Sequence, residues 1–371
     1  MSETPHPPKT LSATTRHLVQ LALRVYLLCL APITFFQRSL IYQPNRCERL
    51  LASNANLSLA VADVAVRSHD GLELHGWLTL AGTSRSSDSV DAKQVLADGK
   101  PVVLYFPGNA GNRARRATQF DVLGLLNAHV LLVDYRGYAD NPGKPSETNF
   151  AKDARSIWNH LTEELGVSQQ RIVIYGESLG GGVATRLASE LCQKGIEPAG
   201  LIVQSTFSSL VAVAQTHFPI VPVSLLLVDR YASDRRVTEV TCPILQIHGQ
   251  QDTIVPFWIG QKLFDAAPAN SSQGIAKQQI VLPHTDHNDV YSWSNDHDKL
   301  IDGLKGFLDG VDRRSKSDVN PETKRSKSTV NPTRDDSRFS NIDWTIVGAF
   351  LLVALAVTLW WFSRSPQAKQ H

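Results

Sequence analysis

The sequence predicts an α/β fold: a mostly parallel central sheet with helices on both faces, plus a C-terminal transmembrane helix. Three observations carry this. From about residue 60 to 310, short apolar runs alternate with helix-like runs, and continuous apolar strands between helices mark a sheet covered on both sides. Apolar residues make up 42% of the 371 and charged residues 19%, enough for a large core and against wholesale disorder. Residues 344–362, WTIVGAFLLVALAVTLWWF, carry no charge and are flanked by Trp344 and Trp360–Trp361. At a 1.5 Å rise they reach about 28 Å, close to the thickness of a bilayer core, with tryptophans where interfacial aromatics belong.

Taken in order, residues 1–50 form a hydrophobic, membrane-associated segment. Its apolar stretch, 18–36, contains Gln20, Arg24 and Pro32. A central arginine is costly in lipid, so a spanning anchor, an interfacial helix and a cleaved signal all stay open. The body, 51–310, starts with strands at 61–66 and 73–79. No helix separates them, which predicts an antiparallel edge. Residues 81–100 read as a polar loop. Strands follow at 101–106, 129–135, 171–175, 200–204, 243–248 and 278–282, with helices at 148–164, 178–192, 256–267 and 297–309. The apolar run 217–228, HFPIVPVSLLLV, is a candidate pocket wall or an ordinary core helix.

Residues 311–343 read as a basic, disordered linker that repeats Arg-Ser-Lys-Ser-x-Val-Asn-Pro from Arg314 and again from Arg325. The 344–362 span and a short tail, 363–371, complete the chain.

Formal net charge is +2, too small for a nucleic-acid binder. The body is acidic and both flanks are basic, as for ends that meet an anionic lipid surface. More basic residues precede 344–362 (Lys324, Arg325, Lys327, Arg334, Arg338) than follow it (Arg364, Lys369). That excess predicts a cytoplasmic body. Four scattered cysteines without a CxxC exclude a disulfide scaffold and a cysteine zinc site.

Gly176-Glu177-Ser178-Leu179-Gly180 lies between a strand run and a helical run. Glycines permit the strained strand-to-helix turn that lifts a serine clear of a sheet, beside a helix N-terminus that favours negative charge. A serine hydroxyl is a poor nucleophile and needs a base held by a carboxylate. Asp252 follows the strand run PILQIH in His248-Gly-Gln-Gln-Asp252 and is the candidate carboxylate. His287 and His284 compete as base, with His297 a third candidate. The developing oxyanion needs two N–H donors: Leu179 for one, and Asn109 or Ala110 in Pro107-Gly-Asn-Ala-Gly-Asn112 for the other.

LIYQP (40–44), PGNAGN (107–112), DYRGY (134–138), GKPSE (143–147), GESLGGGVA (176–184), STFSSL (205–210), HGQQDTIVP (248–256) and HND (287–289) run in one order over most of the body. The chain thereby resembles the serine-aminopeptidase-like branch of the α/β-hydrolase superfamily, especially its membrane-associated subgroup that includes protein depalmitoylases. The resemblance implies a triad of Ser178, Asp252 and His287. Two departures stand out. Pro107 replaces the family's histidine, which bears on the oxyanion loop. Ala139-Asp140-Asn141 replaces Gly-x-Ser, expected at the pocket rim.

The expected activity is a membrane-anchored serine hydrolase that cleaves an ester, thioester or amide through an acyl-enzyme, with no cofactor and no metal. Expected partners are an acyl-containing small molecule, a lipid or an acylated protein, and a membrane. An acyltransferase on the same triad and a non-catalytic binding scaffold are the alternatives.

Overall fold

The computed structural model describes residues 13–55, 57–84, 91–292 and 296–317. The expected span at 344–362, the tail 363–371 and the linker from residue 318 lie outside the described residues.

The chain opens with α1 (Ala13–Ile41), then β1 (Gln43–Pro44), β2 (Leu59–Arg67) and β3 (Glu73–Ser84). Next come α2 (Ala92–Leu96), β4 (Val102–Phe106), β5 (Ala110–Gly111), α3 (Ala117–Leu125), β6 (His129–Val133), α4 (Glu147–Asn159), β7 (Ile172–Glu177) and α5 (Leu179–Cys192). The rest is β8 (Gly200–Gln204), α6 (Leu210–His217), α7 (Val223–Leu226), α8 (Ser233–Arg236), β9 (Ile244–Gly249), α9 (Phe257–Ala266), β10 (Gln278–Leu282) and α10 (His297–Ser317).

Among the described residues, eight strands form one sheet in the order β10-β9-β8-β7-β4-β6-β3-β2. The six from β10 to β6 are mutually parallel; β3 pairs antiparallel with both β6 and β2. β4, β6, β8 and β9 are buried along their whole length, and β7 up to Gly176, as apolar strands between two helical layers must be. One core joins the sheet to α4, α5 and α9 through residues such as Phe150, Val183 and Ile259. The other joins the opposite face to α3 and α10 through Phe120, Leu300 and Phe307.

This order positions the site. From β4 the chain crosses to β6 on one side and returns to β7 on the other, so the order reverses between β4 and β7. Ligand crevices in open α/β sheets form at such a reversal, beyond the strands' carboxyl ends. Phe106 pairs with Gly176 in register, so the loops leaving β4 and β7 emerge side by side.

Three expectations are corrected. β3 runs on to Ser84 and α2 forms at Ala92–Leu96, so 81–100 is not loop throughout. Leu80 and Ala81 continue the buried strand, and the Asp91 side chain caps α2 by accepting from the N–H groups of Lys93 and Gln94. α10 continues past residue 310 to Ser317 and buries Val311, so residues 311–317 are helix rather than linker. The side chains of Asp140 and Asn141 are buried in the framework rather than set at a pocket rim. Arg113 Nη1 donates to Asp134 (2.5 Å) and Asp140 (2.8 Å), and Asn141 bonds both backbone groups of His75.

α1 is one helix through Pro32, which removes one intrahelical hydrogen bond without ending it. Its 25 residues His17–Ile41 are long and apolar enough to cross a membrane, and few of them are buried.

Candidate active site

Ser178 sits between β7 and α5 with φ 52° and ψ −116°, a left-handed conformation costly for a residue with a Cβ. The surroundings hold it there. Its N–H donates to Gln204 O at 2.8 Å, and its carbonyl accepts from Thr206 Oγ1 at 2.7 Å and from the Gly181 N–H at 2.9 Å. The flanking glycines are steric requirements. A Cβ at Gly176 would lie 2.4 Å from Gly180 O, and one at Gly180 would lie 2.0 Å from Phe106 O. α5 therefore starts hard against the end of β4, and its first N–H, that of Leu179, has no intrahelical acceptor.

Asp252 follows β9 and His287 follows β10, the two strands at the far edge of the sheet. His287 Nδ1 lies 2.8 Å from Asp252 Oδ2, and Nε2 lies 3.0 Å from Ser178 Oγ. A carboxylate only accepts, so it fixes the proton on Nδ1 and leaves the Nε2 lone pair facing the serine hydroxyl. Asp252 Oδ1 accepts from the N–H groups of Ile254 (3.0 Å) and Val255 (2.7 Å). Burial alone would raise its pKa, but hydrogen bonds from His248, His287 and the Val255 amide outweigh that and hold it at about 2.

His284 is exposed, with only its backbone N–H engaged, by Asp296; His297 begins α10. Of the three candidate histidines, the structure brings His287 to Ser178.

The loop after β4 passes directly beside the serine: a Cβ on Gly108 would lie 3.5 Å from Ser178 Cβ. The Asn109 carbonyl accepts from the Gln43 N–H (3.1 Å) and Tyr138 Oη (2.8 Å), and the Asn109 amide donates to Ile41 O (2.9 Å). Pro107, where the family's histidine stood, has its carbonyl held by Tyr135 Oη at 2.8 Å. β1 pairs with β5, so the chain just after α1 forms one wall of this loop.

Three neighbours of the site carried no distinct signal in the sequence. His248 is fully buried, with Nε2 2.9 Å from Val255 O and 3.3 Å from Asp252 Oδ2, so it clamps the aspartate's turn. Its place in the HGQQD stretch was the one available hint. Asp286 accepts from the N–H groups of Thr253 and His287, each at 2.7 Å, and ties the two loops together. Arg116 bonds Glu177 (2.8 Å), which also accepts from Tyr105 Oη (2.7 Å), and braces the residue before the serine.

A family model for the α/β hydrolase fold matches residues 101–219. The chain is 37% identical over 284 residues to an uncharacterised protein of Mycobacterium tuberculosis, covering 76% of this chain and 89% of that one. The chain belongs to the α/β-hydrolase fold family. A lysophosphatidylserine lipase, ABHD12 of Danio rerio, is 34% identical over 235 residues, 58% of this chain and 61% of that one. The hydrolase thus spans about three-fifths of that lipase's length. Among solved structures, an α/β hydrolase of Vibrio vulnificus superposes with TM-score 0.54 at 19% identity, over 81% of this chain and 98% of that one. An esterase of Pyrococcus furiosus gives TM-score 0.52 at 18% identity, over 72% and 97%. These two show the shared fold. The enzyme is a serine hydrolase.

Proposed function

We propose that the enzyme is anchored in a membrane and hydrolyses the acyl ester of a lysophospholipid-type lipid through Ser178, His287 and Asp252. The observation that carries this is the continuous hydrogen-bonded path from Ser178 Oγ through His287 to Asp252. Ser178 Oγ attacks the acyl carbonyl while His287 Nε2 takes its proton. Asp252 orients the ring and stabilises the imidazolium. The N–H groups of Leu179 and Asn109 receive the oxyanion, an interaction worth roughly 3–4 kcal/mol per donor in other enzymes. His287 then protonates the leaving alcohol. Water, deprotonated by the same histidine, cleaves the acyl-enzyme and frees the acid.

The similarity to lipases named for lysophosphatidylserine supports a lipid acyl ester. α1 supports membrane attachment, with 344–362 as a second anchor and the body, 51–310 with its extension to Ser317, on the cytoplasmic side. The depalmitoylase-like stretches support a second substrate, the thioester of an S-acylated protein, on the same chemistry. A Ser178→Ala variant is expected to lose all labelling by a fluorophosphonate probe; full labelling would end the assignment. Turnover of lysophosphatidylserine against S-palmitoyl peptide ranks the two substrates.

A further inference from the structure

We infer that residues 218–228 enter the lipid together with α1, so that the mouth above Ser178 opens onto the bilayer and admits an acyl chain sideways from one leaflet. The inference rests on the proposed role of Ser178 and adds the route by which substrate arrives.

α1 is not a detached tether. Much of its surface is exposed, Leu28 to 73%, while Tyr26, Gln37 and Arg38 lace it to the segment between α6 and α8. Tyr26 Oη donates to Ile220 O at 2.6 Å. Gln37 donates to Leu226 O at 3.2 Å and accepts from the Val228 N–H at 2.8 Å. Arg38 forks onto Asp229 at 2.9 and 3.1 Å. Tyr26 and Gln37 are about 16 Å apart along the helix, and residues 220–228 run beside that stretch. Whatever depth α1 reaches, this segment reaches too.

Its chemistry fits that depth. FPIVPVSLLLV (218–228) carries no charge, and Leu225 is 74% and Val228 63% exposed. Only α7 within it is helical, and irregular backbone in hydrocarbon must have its polar groups satisfied by protein. Tyr26 and Gln37, polar side chains on an apolar helix, bond three of them: Ile220 O, Leu226 O and the Val228 N–H. The apolar surface continues through Ile254 and Trp258, 44% and 55% exposed, since His217 Nε2 donates to Ile254 O at 2.8 Å.

These elements also frame the site. Thr206, shortly before α6, holds the Ser178 carbonyl. Ile254 is two residues past Asp252, and Ile41 at the end of α1 holds Asn109. The elements that hold the site also carry the surface proposed to meet lipid.

The test uses the full chain in phosphatidylcholine vesicles, with the exposed Cys29 and Cys47 changed to serine and an NBD fluorophore on Leu225→Cys; Leu125→Cys on α3 is the control. NBD at 225 is expected to emit blue-shifted and to be quenched by doxyl-labelled lipids, while NBD at 125 emits as in water. A Leu225→Glu/Val228→Glu variant is expected to lose on the order of tenfold activity on a long-chain monoacyl lipid in vesicles. Its turnover of soluble p-nitrophenyl acetate reports that the site is intact. Aqueous emission at 225, shielding without quenching by lipid (a protein neighbour), or wild-type vesicle activity in the double variant overturns the inference. Activity surviving in Ser178→Ala instead overturns the nucleophile assignment and leaves the depth measurement standing.

Discussion

The amide of Asn109 donates to the carbonyl of Ile41 across 2.9 Å, fastening the loop beside Ser178 to the last residue of α1. The Gln43 N–H fastens the same loop through the Asn109 carbonyl. A helix expected to be a spanning anchor, an interfacial helix or a cleaved signal is thus part of the frame around the proposed oxyanion donor.

Asn109→Ala removes that fastening but keeps the backbone N–H. Because a misaimed donor weakens transition-state binding more than ground-state binding, kcat should fall on the order of tenfold with KM nearly unchanged. Steady-state kinetics on a soluble ester checks this; a rise in KM alone would show that the loop only holds substrate.

Asp252 ties stability to acid pH. Its pKa falls from the ordinary 3.8 to about 2 on folding, so the folded state favours the carboxylate. The resulting stabilisation, about 2 kcal/mol, is present above pH 4 and lost as pH falls through 2. Urea unfolding of wild type and Asp252→Asn should therefore show a gap that narrows by about that amount between pH 6 and pH 2. Activity of the variant should drop on the order of 10³-fold or more at neutral pH, because the histidine loses its orienting acceptor.

Ala139 holds φ at 47°, where the family pattern has glycine. Its N–H donates to Asn45 O and its carbonyl accepts from the Cys47 N–H, each at 3.0 Å, so the backbone cannot relax without breaking both. Ala139→Gly should relieve the Cβ clash and raise stability by up to about 1 kcal/mol, net of the chain entropy glycine adds. Thermal unfolding should show a Tm higher by a few degrees and unchanged kcat.

Arg113 is 1% exposed and neutralises both Asp134 and Asp140. Arg113→Met strips Asp134 of its cation and leaves Asp140 only the more distant Arg49, at 3.6 Å. A loss of roughly 3–5 kcal/mol is expected in denaturant unfolding. A loss under 1 kcal/mol would mean that water already screens the pair.

The eight sheet strands were legible because each is an apolar run bounded by polar turns, and β8 and β10 match their expected limits. Ser178 was legible because a strained turn needs glycines at fixed offsets. The histidine was narrowed to three, since spacing says which loop carries a base but not which ring reaches the serine. α3 (ATQFDVLGL) was missed because its apolar residues follow no clear helical period, and the last turns of α10 because DRRSKS reads as linker. The roles of His248, Asp286 and Arg116 arise only when loops from separate strands meet. The lacing of α1 to residues 220–229 links positions nearly two hundred apart, for which one sequence carries no pattern.

That separation bears on how the chain is made. Tyr26 leaves the ribosome 194 residues before its partner Ile220. At about 5–20 residues per second, α1 waits roughly 10–40 s with its apolar surface unmatched. A nascent chain with so greasy a leading end needs a bilayer or a chaperone to hold it during that interval. Synthesis away from membranes should therefore yield aggregates well before it yields a misfolded hydrolase body.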